Sequence, residues 1–370
     1  MQAILDITLN ELKSYLKKQN FSGFAARQIF SWIYRKETFD FDRMTDLSKE
    51  LRNFLKSNFY ILSLTLIERQ ISFDGTQKFL FGISGKPGWR TQERGKQGIE
   101  SVVIPTSRRL TACISTQVGC KFACRFCASG ALGWRRNLNP GEIIEQVIYL
   151  KKIVARRLNN LVFMGIGEPL DNYDNVLKAL RILNSSYSLN IGARKMTIST
   201  CGLIPGIRKL AEEGLQIELS VSLHAADNKT RTYLMPVSKK YPLQELLSAC
   251  RAYFKKTKRQ VTFEYVLIKG INSAPEQAKR LTKLLSGLDA KVNLIPVNPF
   301  RNEIPVPNKL DTLIFRDILL KASIPVTIRR PRGMDIQAAC GQLRLINLSE
   351  AKYRSIGNYE VGKGNFRRYL

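Results

Sequence analysis

The chain is short of negative charge. Its 370 residues include 30 Asp and Glu against 59 Lys and Arg, a formal net charge of +29. There is a single histidine, His224, and no second Cys-x-x-Cys pair. A structural zinc site therefore lacks its usual two ligand pairs. No apolar run reaches the ~18 residues of a membrane span. Residues 1–19 hold Asp6, Glu11, Lys13, Lys17 and Lys18 where a signal peptide needs an unbroken apolar stretch. The expectation is a soluble, cytoplasmic protein that engages no membrane. Internal repeats and low-complexity segments are missing too. The seven cysteines are an odd number, which argues against a disulfide framework.

What is present bounds the class. Hydrophobic residues make up 44% and charged residues 24%, enough for a real core. That excludes a disordered basic tail, a histone-like peptide and a disulfide miniprotein. The length fits two to three domains, or one large α/β barrel with an appendage. The positive surplus favours a polyanionic partner, because each neutralised phosphate releases counterions. Most of the surplus lies in residues 111–370. Near the C-terminus, Lys352, Arg354, Lys363, Arg367 and Arg368 alternate with Tyr353, Tyr359, Phe366 and Tyr369. Such mixtures suit single-stranded RNA, whose bases stack on rings.

The periodicity changes along the chain. Leu9, Leu12 and Leu16, then Phe24, Ile29 and Ile33, recur at near-helical spacing, and a third helix is predicted over 47–59. Residues 1–60 thus read as a helical accessory domain. Residues 61–105 form a small β-rich extension with predicted strands at 60–68, 77–83 and 98–105, and a turn at Asp74-Gly75. Beyond Thr111, strands are predicted at 112–116, 160–164, 195–199, 217–223, 261–267 and 292–295, with 326–329 as a further candidate. Helices start near Pro140, Asp174, Pro205, Pro242, Ala274 and Asn308. Asn139-Pro140-Gly141-Glu142 offers an N-cap, Pro at N1 and Glu at N3. Six β/α units imply a parallel sheet with right-handed crossovers. Six is short of the eight of a closed barrel. The expected fold is α/β, a partial, open (β/α)6 barrel over 106–345 with a basic tail at 346–370.

Three cysteines fall close together as Cys120-x-x-x-Cys124-x-x-Cys127, directly after the first strand of that series. Such spacing lets three thiolates converge on one soft metal centre. A [4Fe–4S] cluster held by three cysteines keeps one iron for a substrate. The alternative is zinc, with Cys113 recruited as fourth ligand. Read alone, Cys113 is a small buried hydrophobe inside a strand, and Glu100 is a surface carboxylate. Cys201 and Cys250 read as structural. Cys340, between Ala339 and Gly341, has small neighbours that leave its sulfur accessible.

This spacing on a β/α background resembles the radical S-adenosylmethionine (SAM) superfamily. Gly165-Ile166-Gly167-Glu168-Pro169 follows the second strand, where the superfamily receives the methionyl ammonium of SAM. An ammonium needs oxygen acceptors, and glycine permits close backbone approach. Six ordered segments narrow the resemblance to the RlmN family. They are 116–120 (TQVGC), 165–170 (GIGEPL), 199–202 (STCG), 222–225 (SLHA), 298–300 (NPF) and 338–343 (AACGQL). Ile166 stands where many relatives have Met, a conservative change.

The resemblance implies a radical SAM methyltransferase acting on adenine C2 of 23S rRNA, at position 2503 in the usual rRNA numbering, and of adenine 37 in tRNA. It implies one [4Fe–4S] cluster on Cys120, Cys124 and Cys127. SAM is used twice per turnover, once to methylate Cys340 and once to generate the radical that activates that methyl group. The SAM-binding set is Gly167, Glu168, Ser199, Ser222, Leu223, His224 and Asn298. Glu100 becomes the proton acceptor, and Cys113 resolves the protein–RNA adduct, leaving a Cys113–Cys340 disulfide. A flavodoxin-like electron donor and a monomeric state are further implications. The runner-up is a Cfr-type enzyme methylating C8 of the same adenine, but Pro169 stands where that type tends to have Ala. A zinc-containing RNA-binding module and a radical SAM enzyme acting on a small molecule are the other classes. For the favoured reading, the basic surface should converge on the mouth near Cys340 and extend to the N-terminal helices, and a basic face on the opposite side would count against it.

Overall fold

The computed structural model describes residues 1–83, 98–131, 133–154, 156–297, 304–329, 332–333, 335–336 and 342. At the start, β1 (Gln2–Ala3) runs parallel to β2 (Phe59–Tyr60). Between them the chain forms α1 (Leu9–Lys18), α2 (Ala25–Phe30) and α3 (Lys49–Asn58). Thr8 caps α1 by accepting the Glu11 N–H, while Glu11 accepts the Thr8 N–H, a reciprocal capping box. Leu12, Leu16, Ile29, Phe30, Leu51 and Leu55 are buried on the inner faces of these helices.

A meander follows, of β3 (Leu64–Ile71), β4 (Gln77–Ile83) and β5 (Gly98–Pro105). It leads into β6 (Leu110–Cys113) and a two-stranded ribbon, β7 (Gln117–Gly119) and β8 (Trp134–Asn137), with one helical turn, α4 (Ala128–Ala131), between them. Then helices and strands alternate: α5 (Pro140–Val154), β9 (Asn160–Phe163), α6 (Tyr173–Asn184), β10 (Met196–Thr200), α7 (Ile204–Glu212) and β11 (Glu218–Ser222). Two helices, α8 (Asn228–Leu234) and α9 (Leu243–Thr257), precede β12 (Val261–Leu267). The series ends with α10 (Pro275–Leu285), β13 (Ala290–Pro296), α11 (Lys309–Lys321) and β14 (Val326–Ile328).

One ten-stranded sheet results, in the order β14-β13-β12-β11-β10-β9-β6-β5-β4-β3. β6 and β9 to β14 are parallel; β5, β4 and β3 extend the same sheet antiparallel. The sheet is an open, partial barrel, as the unit count led one to expect. Residues 326–328 supply a further parallel strand paired with β13.

Burial along the strands shows which face does what. In β10, Met196, Ile198 and Thr200 are buried, and Thr197 and Ser199 are not fully so. β13 alternates in the same way, with Lys291 and Asn293 on the less buried face. The apolar face lies under the helices, and the inner face is the polar one. Across that inner face Ser222, Glu264, Asn293 and Thr327 stand in register on four neighbouring strands. Glu264 accepts from Ser220 Oγ and from Asn293 Nδ2, each at 2.7 Å, and Thr327 Oγ1 donates to Asn293 Oδ1 at 3.0 Å.

The strand predicted at 60–68 starts later, at Leu64. Buried Glu145 on α5 accepts the N–H groups of Ser63 and Leu64, which holds Ser63 out of the strand that begins beside it. The ribbon and α8 were not foreseen, because three to seven residues are too few to set up a hydrophobic period.

Candidate active site

The cysteine triplet sits in the segment joining the two ribbon strands. Gly119, at φ +86, precedes it, and the Gly133 carbonyl lies where a Cβ would stand. Only glycine permits that approach. Gly133 O also accepts the Cys120 N–H at 3.0 Å. The Cys127 N–H closes onto Cys124 O at 3.1 Å, and the Arg125 N–H reaches Leu234 O at the end of α8. Both ends and the middle of the loop are therefore tied down.

All three cysteines line one cavity of about 270 Å³ at the C-terminal ends of the parallel strands. Gly167, Glu168, Ser199, Ser222 and His224 line it as well. Sequence reasoning placed these eight residues in one site, and the fold brings them together. Leu223 does not join them: its side chain is fully buried in the core. Asn298 and Cys340, and with it the expected Cys113–Cys340 pairing, lie outside the described residues, as does the whole C-terminal tail at 346–370.

Glu100 is not a surface carboxylate, contrary to the reading of that residue alone. It is 2% exposed on β5 and forms an ion pair with Lys78 of β4, whose side chain is wholly buried. The reason is the antiparallel extension, which continues the barrel sheet and carries Glu100 onto its inner face. Val102 lies opposite both Lys78 and Cys113. Lys78, Glu100, Val102 and Cys113 thus share one face, with Glu100 diagonal to Cys113 across neighbouring strands. Cys113 is itself 5% exposed.

Gly167 has φ +108, and a Cβ there would lie 2.6 Å from Gln117 Cβ. The adjacent Glu168 uses its carboxylate as a strut: Oε2 accepts the Cys201 N–H at 2.7 Å and Oε1 the Leu170 N–H at 3.1 Å. Burial raises its pKa, partly offset by these hydrogen bonds. Gln117 Oε1 accepts the Glu168 N–H at 2.8 Å. His224 adopts a left-handed backbone, φ +57. Its Nδ1 accepts the Val266 N–H at 3.0 Å, and its carbonyl accepts from fully buried Asn272. Phe126 meets the imidazole edge-on at 4.7 Å. Burial, then the nearby Arg231 charge, push His224 down to about 3, so the ring is neutral with its proton on Nε2.

Several residues of the site escaped sequence reasoning. Arg231 is fully buried and donates to the carbonyls of Cys201, Ser222, Leu223 and Tyr241, fastening the ends of β10 and β11 beneath the cavity. Glu264 lines the cavity from within an otherwise apolar strand. A carboxylate in such a run was its available signal. Lys78 carried the same kind of signal in β4. Cys201, read as structural, lines the cavity because it follows β10 directly, whereas Cys250 is core.

The donor set fits an iron–sulfur cluster. Burial pushes the Cys120 thiol up to about 12. Burial, with the charges of Cys127 and Cys120, raises Cys124 well above the ordinary thiol range. Crowded thiols of this kind yield their protons to a strongly cationic centre. Among the described residues no group of three or more His, Cys, Asp or Glu side chains is set as a ready single-ion site. Three sulfurs beside a pocket of oxygen acceptors suit a larger centre that keeps one iron for a substrate.

Comparisons with known proteins agree with this geometry. Residues 114–282 match the model of the radical SAM superfamily, and residues 2–61 match that of the ribosomal RNA large subunit methyltransferase N-terminal domain. The chain is 46% identical over 346 residues to a probable dual-specificity RNA methyltransferase RlmN of Clostridium novyi, covering 93% of this chain and 98% of the relative. A protein of the same description from Thermotoga neapolitana is 45% identical, with the same coverage. The crystal structure of a radical SAM methyltransferase from Sphaerobacter thermophilus superposes with a TM-score of 0.86 at 42% identity, covering 92% of this chain and 99% of that one. Among the described residues no helix is long and apolar enough to cross a membrane.

Proposed function

Because the chain belongs to the RlmN family of radical SAM RNA methyltransferases, we propose that it methylates C2 of an adenine in 23S rRNA and of adenine 37 in tRNA through a methyl thioether on Cys340. The observation that carries the reading is the shared cavity, where Cys120, Cys124 and Cys127 face Gly167, Glu168, Ser199, Ser222 and His224. In this reading the three cysteines hold one [4Fe–4S] cluster, and Asn298 joins the SAM-binding residues. When bound, the cluster supplies the electron that cleaves SAM, itself drawn from an external flavodoxin-like donor.

The chain's own residues do the rest. Gly167 exposes backbone oxygen to the methionyl ammonium, a contact its missing Cβ permits. Glu168 keeps β10 in place through the Cys201 N–H. Ser199 and Ser222 offer hydroxyls from neighbouring strands, and neutral His224 adds a donor without adding charge. Phe122, Phe126 and Phe163 wall the cavity and limit water. Cys340 carries the methyl group to the base. Glu100 takes the proton released from C2, its carboxylate oriented by Lys78. The Cys113 thiolate then attacks the Cys340 sulfur: an S–S bond forms as the S–C bond breaks, the methylene carbon leaves with the electron pair and takes up a proton to become the methyl group, and an external thiol reductant reopens the disulfide. Glu100 and Cys113 share one face of adjacent strands, which supports their acting on the same adduct.

Mass mapping of nucleosides tests the reading. After anaerobic cluster reconstitution, the protein should convert one adenosine of 23S rRNA fragments and of tRNA to 2-methyladenosine. Formation of 8-methyladenosine would move the assignment to the C8-methylating relatives, and no product on either RNA would sink it.

A further inference from the structure

The parallel strands have a second end. Where β6, β9 and β10 begin, opposite the cysteine-lined cavity, a pocket of about 380 Å³ opens beneath the sheet. Arg108, Arg109, Lys151, Arg157 and Lys195 line it. They come from three separate connections and one helix, so no local charge run explains the convergence. Of the five, only Lys151 has a carboxylate partner among the described residues, Glu37 at 2.6 Å. Arg108, Arg109, Arg157 and Lys195 are exposed. The helical N-terminal segment reaches the same loop: Arg35 donates to Ser186 O, and the Arg27 guanidinium lies 5.2 Å from the centre of the Tyr187 ring. Tyr187 is 38% exposed, which leaves part of its ring open to solvent.

Several like charges around one concavity repel one another and raise the local anion concentration. A focused positive field stands at the opposite end of the strands, which runs against the expectation that the basic surface converges on the mouth near Cys340. We propose that this pocket is a second RNA site, which grips backbone phosphates of a segment remote from the target adenine. The inference rests on the RNA methyltransferase reading and deepens it. A free phosphorylated metabolite would be satisfied by the pocket alone. The cations instead continue outward through exposed Arg156 and Arg194 and past the Arg27–Tyr187 pair, a track that fits a polymer. The two ends of β10 are ~15 Å apart at ~3.3 Å per residue. A folded RNA has to be long enough to reach both, and once one end is held the other contact becomes intramolecular.

The test is charge reversal in the full chain, Arg108→Glu with Arg157→Glu. Fluorescence anisotropy would follow a full-length tRNA, a long 23S rRNA fragment and a short stem-loop carrying the target adenine. The variant should bind the long RNAs about tenfold or more weakly, with a shallower salt dependence by about two phosphate contacts. It should bind the stem-loop as before, and turnover at saturating RNA should not change. A control with the same change in charge on α10, Lys279→Glu with Lys283→Glu, should leave long-RNA binding nearly intact. Equal weakening of long and short RNAs, no weakening of either, or an equal effect in the control would overturn the proposal. So would thermal stabilisation by inorganic phosphate that the variant loses while its long-RNA affinity stays the same, which would mark a small-anion site. If the unmodified protein binds none of the RNAs, the RNA reading itself fails.

Discussion

Lys78 Nζ stands 2.7 Å from Glu100 Oε2, and neither side chain reaches solvent. The pair joins two strands of the antiparallel extension, on the inner face of a sheet in which β6 and β9 to β14 run parallel. Each charge is tolerated there because the other is present. Lys78→Met should destabilise the fold by ~3–5 kcal/mol, since it leaves a buried carboxylate uncompensated. Lys78→Met combined with Glu100→Leu should recover most of that loss but have no methyl-transfer activity. Urea unfolding of the two variants checks this, and equal destabilisation in both would contradict it.

Removing a cluster ligand should separate chemistry from binding. The native protein, purified without oxygen, should be coloured, with about four iron and four sulfide per chain. Cys124→Ala should lose both and all methyl transfer. RNA affinity should stay within about twofold, since no phosphate-binding cation is removed.

Cys340→Ala should turn over neither rRNA fragments nor tRNA. Cys113→Ala should still form the bond to RNA but not resolve it, and a covalent protein–RNA species should accumulate. A denaturing gel reads the difference as a shifted band in one variant and none in the other.

The single histidine sets a pH signature. Its folded-state pKa, near 3, lies below the ordinary 6.5. Between those values the unfolded chain binds a proton that the folded chain refuses. This contribution to stability is whole above pH 6.5 and is lost as pH falls, by up to about 1.4 kcal/mol per unit. His224→Asn tolerates the same left-handed backbone but cannot titrate. Its unfolding free energy should depend less on pH between 6.5 and 4 than that of the native protein. Identical slopes would count against the assignment.

Arg231→Met should act on SAM more than on RNA. It strips a donor from the carbonyls of Cys201, Ser222 and Leu223, at the ends of β10 and β11, and from that of Tyr241 ahead of α9. Each orphaned group costs about 1–3 kcal/mol. SAM affinity measured calorimetrically should fall at least tenfold, with RNA binding retained.

Much of this was legible in the residues. The 261–267 strand matches β12 residue for residue, because a short apolar run between turn signals has few other solutions. Pro140 opens α5 as its Asn-Pro-Gly-Glu context required. That Cys120, Cys124 and Cys127 would stand together was legible because it depends on spacing within one loop. Glu100 and Lys78 were not, since nothing within 20 residues of either indicates that they meet. Their pairing depends on the register of β4 against β5.

The sequence alone determined the alternation of elements, the gathering of three cysteines in one loop and the positive charge of the chain, all of which follow from local spacing and composition. The tertiary structure decided which face of each strand turns inward, and through that which polar groups are buried together. It set Glu264, Asn293 and Thr327 in one row, drew Arg231 under the cavity and collected cations at the far end of the barrel. Those groups are distant along the chain, and only sheet register and helix packing fix the distances on which their interactions depend.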